Sequence, residues 1–573
     1  MTSRAARWAL ALILVYGALL RIDRLLSNPD FNHPDSLRHF LAAEDIHLKE
    51  PSSWFAVYRG YLPYALYNRV LFGLTSHRPE IQRFGTVLLS VGLIGIVGWC
   101  ARKRCGDWGG VFAAYLVASS PILIASSDSG IREDLYACLW VLLFDQLFHL
   151  PAGNRRAWGH GIRVGGLAML VFLTRVDACL ALGVMGGLAL ISRSEWREPE
   201  RVFPALAVFF LLLLVVLPAN WMRKKDPFYF VDKDKKTFRY WANMEFKGQP
   251  GFPSIEEVDN NLRVGEPISA WTYFGSILGW EETARRFGRG YLHFLVKNFM
   301  TGVYRLDALP NQVGIVGLLT MLGIALEFYR RRWELPLAPF VLLAGTIWTY
   351  NIPGGRDLRF YQAAIPFAVL LATTAACQMM QWILSLKGKW LRIPLLSLLP
   401  VLVVANPWNH DLKTSFPWRV GPTSDPIQLA GRFPLEFGPS LRLKGYELRR
   451  IGPLGLWTIP SEEIAPGQRF LLRLFWSCRK EIPEAGEYHA FLEQDGLGRF
   501  GMMRPFPLIG KFPVNHWPRG LHIVDEIEYL VYKGVPAGTT RIRVGVQGAG
   551  LPGALEHELT VFTLKKKSGI FFP

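Results

Sequence analysis

Up to about Trp408 the chain alternates long apolar runs with short charged segments. Beyond Leu412 no run approaches the ~20 apolar residues needed to span a bilayer. The apolar runs fall near residues 5–20, 83–100, 109–126, 135–150, 162–174, 176–191, 203–220, 311–327, 336–350, 362–383 and 393–407, and each predicts a membrane-crossing helix, about 11 in all. Thr174-Arg175-Val176-Asp177 interrupts the pair 162–191. Between the first two spans, Leu37, Phe40, Leu41 and Ile46 recur at helical spacing, which predicts a short amphipathic helix over 36–48. After residue 420 the period becomes two. Ile542, Val544 and Val546 alternate with Arg541, Arg543 and Gly545, and Ile527, Tyr529 and Val531 with more polar neighbours. Further apolar segments run from Phe470 to Trp476 and from Tyr488 to Leu492, punctuated by Pro466-Gly467, Asp495-Gly496, Pro513 and Gly538. This spacing predicts an all-β sandwich over 420–573, following a polytopic α-helical membrane domain over 1–410.

Charge gives the helical part a direction. Arg102 to Arg104, Arg155, Arg156 and Arg163, Arg193, Arg197 and Arg201, Arg330 to Arg332, and Lys387, Lys389 and Arg392 follow alternate spans. With Arg4 and Arg7 they all fall on one side if the span count holds, and that side is the cytoplasm. The loops 21–80, 221–310 and 351–361 and the C-terminal domain are then extracytoplasmic. Much of the net charge of +18 sits in these topological clusters, so it does not argue for nucleic acid. Arg4 and Arg7 before a short apolar core would also suit a signal peptide, but Arg21-Ile22-Asp23-Arg24 stands where small residues should mark cleavage, favouring a retained helix. The six cysteines, Cys100, Cys105, Cys138, Cys179, Cys377 and Cys478, have no metal-ligand spacing and no disulfide framework. No Asn-x-Ser/Thr sequon occurs, which leans toward a bacterial inner membrane.

Acidic residues stand out on the outer side. Asp35 follows Asn32-His33-Pro34, and Asp128, Glu133 and Asp134 lie in the next outer loop. Taken singly, Asp35 reads as a helix N-cap, and Glu133 and Asp134 as acids favoured by a helix dipole. The return loop Gly354-Gly355-Arg356-Asp357-Leu358-Arg359-Phe360-Tyr361 is different. Arginines at an outer helix N-terminus oppose both the positive-inside bias and the dipole, and they make sense if an anion such as a phosphate docks among them. Local pairing with Asp357 is the plainer alternative.

These residues and their order resemble the GT-C superfamily of membrane glycosyltransferases, particularly the protein O-mannosyltransferase and aminoarabinose transferase branch (glycosyltransferase family 39-like). The family's first-loop Asp is matched by Asp35-Ser36-Leu37-Arg38-His39-Phe40, and its second-loop acid after Ser-Pro by Ser120-Pro121 leading to Glu133-Asp134. Its Thr-Arg-x-acid element is matched by Thr174-Arg175-Val176-Asp177, and its final Arg-aromatic element by Arg359-Phe360 with Pro366. Ser36 stands where many members carry Glu, and which of Asp128, Glu133 and Asp134 takes the second position stays open. The resemblance spans most of residues 1–407. It implies an inverting transfer of a hexose or pentose from a polyprenyl-phosphate donor at the outer membrane face, to a lipid, protein or glycan acceptor. Asp35 would be the catalytic base, and Glu133, Asp134, Asp128, Arg356, Arg359 and Tyr361 would bind substrate. In related oligosaccharyltransferases the acids share a divalent cation, for which Mg or Mn would suit carboxylates here.

The 221–310 loop is expected on the acceptor side, where Lys236, Tyr240 and Glu245 lie in a stretch of mixed basic and aromatic residues suited to sugars and phosphate. A surface stretch touching anionic membrane lipids is the alternative. The C-terminal domain resembles one carried by some bacterial membrane glycosyltransferases, through Leu443-Lys444-Gly445-Tyr446, Pro466-Gly467 before a strand ending in Trp476, Asp495-Gly496, Pro513 before Trp517, and Gly545. An accessory role is expected of it. Two other functions compete with transfer: transport or flipping of lipid-linked sugars, and non-catalytic sugar binding in a membrane assembly.

Overall fold

The computed structural model describes residues 3–27, 34–47, 62–149, 157–175, 178–224, 229–293, 315–347, 362–385, 434–451, 458–460, 463–480, 486–500, 522–532, 534–548 and 555–564. The return loop 351–361, the expected span 393–407, and Trp517 lie outside them, so Arg356, Arg359 and Tyr361 receive no structural account.

The chain divides into two compact units. The first comprises Met1–Phe230, Tyr291–Trp348 and Asp357–Ser415; the second comprises Val231–Gly290, Thr349–Arg356 and Phe416–Pro573. The first unit is helical. Its helices are α1 (Arg4–Ser27), α2 (Pro34–Glu44), α3 (Leu62–Leu74), α4 (Pro79–Ala118), α5 (Pro121–Ser126), α6 (Glu133–Phe148), α7 (Ala157–Thr174), α8 (Ala178–Ser192) and α9 (Pro199–Lys224). Three further helices of this unit are Ile315–Tyr329, Glu334–Ile347 and Ile365–Ser385. Among the described residues, the segments Pro79–Ala118, Ala157–Thr174 and Gln362–Ser385 are long and apolar enough to cross a membrane.

The expected spans 83–100 and 109–126 meet in α4, a 40-residue helical run broken by Gly106 at φ 76°. Only a residue without Cβ adopts that conformation cheaply. The two halves fold back on each other: a Cβ on Gly98 would stand 3.1 Å from the Gly110 carbonyl oxygen. The second half ends at Ala118, and residues expected to continue it form the separate helix α5 after Ser119 and Ser120.

In the second unit α10 (Tyr229–Phe246), α11 (Ile255–Asn260) and α12 (Trp280–His293) accompany the sandwich, and α13 (Ile315–Tyr329), α14 (Glu334–Ile347) and α15 (Ile365–Ser385) return to the first. One sheet runs β1 (Leu435–Phe437), β2 (Leu441–Ile451), β5 (Arg469–Cys478) and β8 (His522–Leu530), with β3 (Thr458–Pro460) on β2. The other runs β4 (Glu463–Ile464), β10 (Leu555–Leu564), β9 (Gly538–Gly548), β6 (Gly486–Gln494) and β7 (Gly498–Phe500). Period-two alternation puts Ile542, Val544, Val546, Ile527, Tyr529 and Leu472 into the shared core. Arg541 and Arg543 turn outward onto Asp495 and Glu493. Tyr529 ties the sheets by donating its hydroxyl to the Ala490 carbonyl at 2.8 Å.

The grouping of Val231–Gly290 with the sandwich differs from the expected division, which kept this loop with the membrane domain. A buried ion cluster joins α10, α12 and β5 within this unit. Arg469 donates to Glu282 at 2.6 Å and to Glu245 at 3.2 Å, while Arg286 bonds Glu245 and, at 3.2 Å, Glu282. Tyr273 donates to Glu245 at 3.4 Å. All five side chains are buried, and the two carboxylates balance the two guanidiniums. Gln249 extends the junction, accepting from the Tyr532 amide at 2.7 Å.

Candidate active site

The first turn of α2 carries Asp35. Pro34 opens the helix, so Asp35 lies inside the first turn and is not the capping residue; an acid there still faces the positive end of the dipole. Its side chain lies outside the described residues. Its neighbour Ser36 is fully buried and donates its hydroxyl to the Ser129 carbonyl. Gln82 at the start of α4 completes the tie: its amide donates to the Ser36 carbonyl at 3.0 Å and to the Gly130 carbonyl at 2.5 Å. Gly130 has φ 66°, and a Cβ there would sit 3.2 Å from Gln82 and 3.4 Å from the Ser36 hydroxyl. Only glycine permits this close approach without strain. Thus the backbone at Asp35 is pinned beside the 128–134 loop. The expected surface helix is in fact packed, with His39, Phe40, Ala42 and Ala43 buried and Phe40 against Phe72 of α3.

The three acids of the second loop differ in surroundings. Asp128 is held by Arg83 at 3.4 Å and Arg24 at 3.6 Å, and its carbonyl accepts from Arg83 Nε at 2.9 Å. Glu133 faces Arg175 at 3.7 Å and Arg132 at 4.0 Å. Arg175 also lies 5.3 Å from the Tyr136 ring centroid. Asp134 is fully buried, yet neither carboxylate oxygen completes a hydrogen bond. Arg21 supplies its counter-charge, with Ser90 and Gln362 close by. Gln362 is likewise fully buried with both amide atoms unpartnered. It is the first described residue after the return loop.

Arg21 is itself buried, donating to Ser90 at 2.7 Å and to the carbonyls of Gly17, Ala118 and Val117 at 3.0, 3.1 and 3.2 Å. Cations at the carbonyl end of a helix are favoured, which places Arg21 well at the close of α4. Around the described acids Asp128, Glu133 and Asp134 stand the guanidiniums of Arg21, Arg24, Arg83, Arg132 and Arg175, a positive surplus that suits an anionic ligand. The same surplus fits a divalent cation poorly, because each acid already has a guanidinium counter-charge.

Sequence reasoning did not select Arg21, Arg24, Gln82, Arg83 or Gln362 as site residues. Arg175 was visible only as part of the Thr-Arg-x-acid element. Of the expected binding residues in the second unit, Lys236 is exposed and Tyr240 half-buried on α10. Glu245, expected to meet an acceptor, is instead buried in the ion cluster, where Arg286 and Arg469 hold its carboxylate.

No family model and no curated protein matches the sequence. Among solved structures, the chain is similar to ArnT from Cupriavidus metallidurans bound to undecaprenyl phosphate, at 12% identity and a TM-score of 0.32 over 66% of this chain and 81% of that one. It is also similar to the Archaeoglobus fulgidus oligosaccharyltransferase tethered with an acceptor peptide via a disulfide bond. There the identity is 13% and the TM-score 0.36, over 70% of this chain and 54% of that one, so the chain spans about half of that protein's length.

Proposed function

We propose that the chain is a GT-C-type membrane glycosyltransferase. More particularly, it transfers a sugar from a polyprenyl-phosphate donor to an acceptor hydroxyl or amine at the outer membrane face, inverting the anomeric centre. One observation carries this reading: four sequence-distant elements converge. The first turn of α2, with Asp35, is tied to the 128–134 loop; Arg175 of the Thr-Arg-x-acid element meets Glu133; and Gln362, just past the return loop, lies beside Asp134.

In this reading Asp35 removes the acceptor proton as the nucleophile attacks the anomeric carbon, and the lipid phosphate departs. Arg356 and Arg359 stabilise the phosphate charge as it develops. Glu133 and Asp134 orient substrate hydroxyls, each having buried carboxylate oxygen that completes no hydrogen bond, one atom on Glu133 and both on Asp134. Asp128, paired with Arg83 and Arg24, holds the loop in shape.

The test is turnover of a polyprenyl-phosphate hexose by the purified protein, with Asp35→Asn beside the wild type. Loss of a general base costs ~10²–10⁴-fold in rate. Unchanged turnover in the variant would remove Asp35 as the base. Absence of donor cleavage with lipid, protein and glycan acceptors would favour transport or binding.

A further inference from the structure

The first unit holds a cleft of ≈ 340 Å³ where its basic turns gather, lined by Lys103, Arg104, Arg193, Arg330 and Arg332 among others. It is remote from the acids described above. Gln82 and Arg83 stand at one end of the first half of α4 and Arg104 at the other, roughly 30 Å along a helix rising 1.5 Å per residue.

Most of these cations have ordinary partners. Lys103 pairs with Asp145 at 2.6 Å, Arg193 with Glu334 at 2.9 Å, and Arg330 approaches Glu327 at 3.8 Å. Positive residues at helix C-termini and on the cytoplasmic side account for them. Arg104 and Arg332 are different: among the described residues neither has a carboxylate at ion-pair distance, Arg104 having only the more distant charges of Glu327 and Glu334 and the Phe144 ring 5.4 Å away. The Arg104 Nε is buried with no hydrogen-bond partner. Two unpaired guanidiniums in a polar cleft match the oxygens of a phosphate group. The segments lining the cleft also carry exposed Trp99, Trp108, Trp333 and Trp382. Exposed tryptophans near the ends of membrane helices mark headgroup depth, where the available phosphates are those of lipids.

We infer that this cleft binds the phosphate headgroup of an anionic membrane lipid, at a site separate from the one that carries out transfer. The test uses full-length protein in detergent and native mass spectrometry, with phosphatidic acid compared with phosphatidylcholine and with inorganic phosphate. Wild type retains phosphatidic acid over phosphatidylcholine. The double variant Arg104→Gln/Arg332→Gln loses that retention at least ~10-fold, whereas Arg102→Gln, an exposed position paired with Asp107, does not. Arg332→Gln alone, at an exposed side chain, gives a partial loss and guards against misfolding of the double variant. Equal retention by the double variant and wild type would overturn the assignment. Displacement of phosphatidic acid by an equal concentration of inorganic phosphate would overturn the lipid source.

Discussion

Replacing Arg469 by Met removes the guanidinium that reaches both acids of the buried cluster in the second unit. Met retains much of the side-chain length, so the loss is mainly electrostatic. Truncating one partner of a buried pair costs ~3–5 kcal/mol, because the other charge is left uncompensated. Glu282 keeps Arg286 at 3.2 Å and Arg285 at 3.0 Å, and Glu245 keeps Arg286, which sets the expectation near the lower end, about 3 kcal/mol. That is roughly a hundredfold more of the open form at equilibrium, or ~6–12 °C in Tm for a unit of this size. Hydrogen exchange on the full-length protein in detergent separates the effect by region. Peptides covering β5 and α12 lose protection together, since Arg469 and Glu282 share the cluster, while α6 keeps its own. A second change, Glu282→Gln in the Arg469→Met background, removes one stranded charge and recovers part of the loss. A Tm shift below about 1 °C, or deprotection of β5 with α12 untouched, would refute the reasoning.

Three more predictions concern pH and the site. Burial alone would raise the Glu282 carboxyl, but Arg469, Arg286 and Arg285 outweigh it and hold it below the ordinary glutamate range. Its contribution is therefore present above the unfolded pKa of ~4.3 and is lost as pH falls below that value. Tm against pH should stay level near neutrality and decline in acid, with the decline moving to higher pH in Arg469→Met. Gly130→Ala places a Cβ at φ 66° against Gln82 and Ser36, and should cost at least ~1 kcal/mol and most of the turnover, read by Tm and initial rate. Asp134→Asn should cut kcat far more than it shifts Tm, while Asp128→Asn, which unpairs Arg83 and Arg24, should do the reverse. Similar kcat losses with similar Tm shifts would contradict the division of roles.

Among the described residues helices stand at the apolar runs, because long apolar burial leaves a signal in consecutive residues; the run 393–407 lies outside them. The sandwich was readable for the same reason at period two: Ile542, Val544 and Val546 all enter its core. The partners of the acids were not readable. Arg21 looked like a charge that spoils a cleavage site, and nothing nearby in sequence reveals that its acceptors lie at Val117 and Ala118. Glu245 sits among aromatic and basic residues that resemble a binding surface, yet its partner Arg469 is 224 positions away. Ion pairs of this kind follow tertiary geometry and leave no local period. Ser36 was legible as a departure from the family pattern, but its use in docking α2 onto Ser129 was not.

The four bonds of Arg21 bear on how the protein is made. When α1 leaves the ribosome, the acceptors at Val117 and Ala118 have not been synthesised, and neither has Asp134. If α1 is the span expected over 5–20, a guanidinium without them is costly in lipid, and α1 alone is a poor candidate for early release into the bilayer. The α4 pair, adjacent in sequence and closed at Gly98 and Gly110, can assemble as soon as it emerges and then offers α1 its missing carbonyls. Biogenesis would then run out of chain order, with the first helix waiting at the insertion machinery for the second half of α4 to arrive.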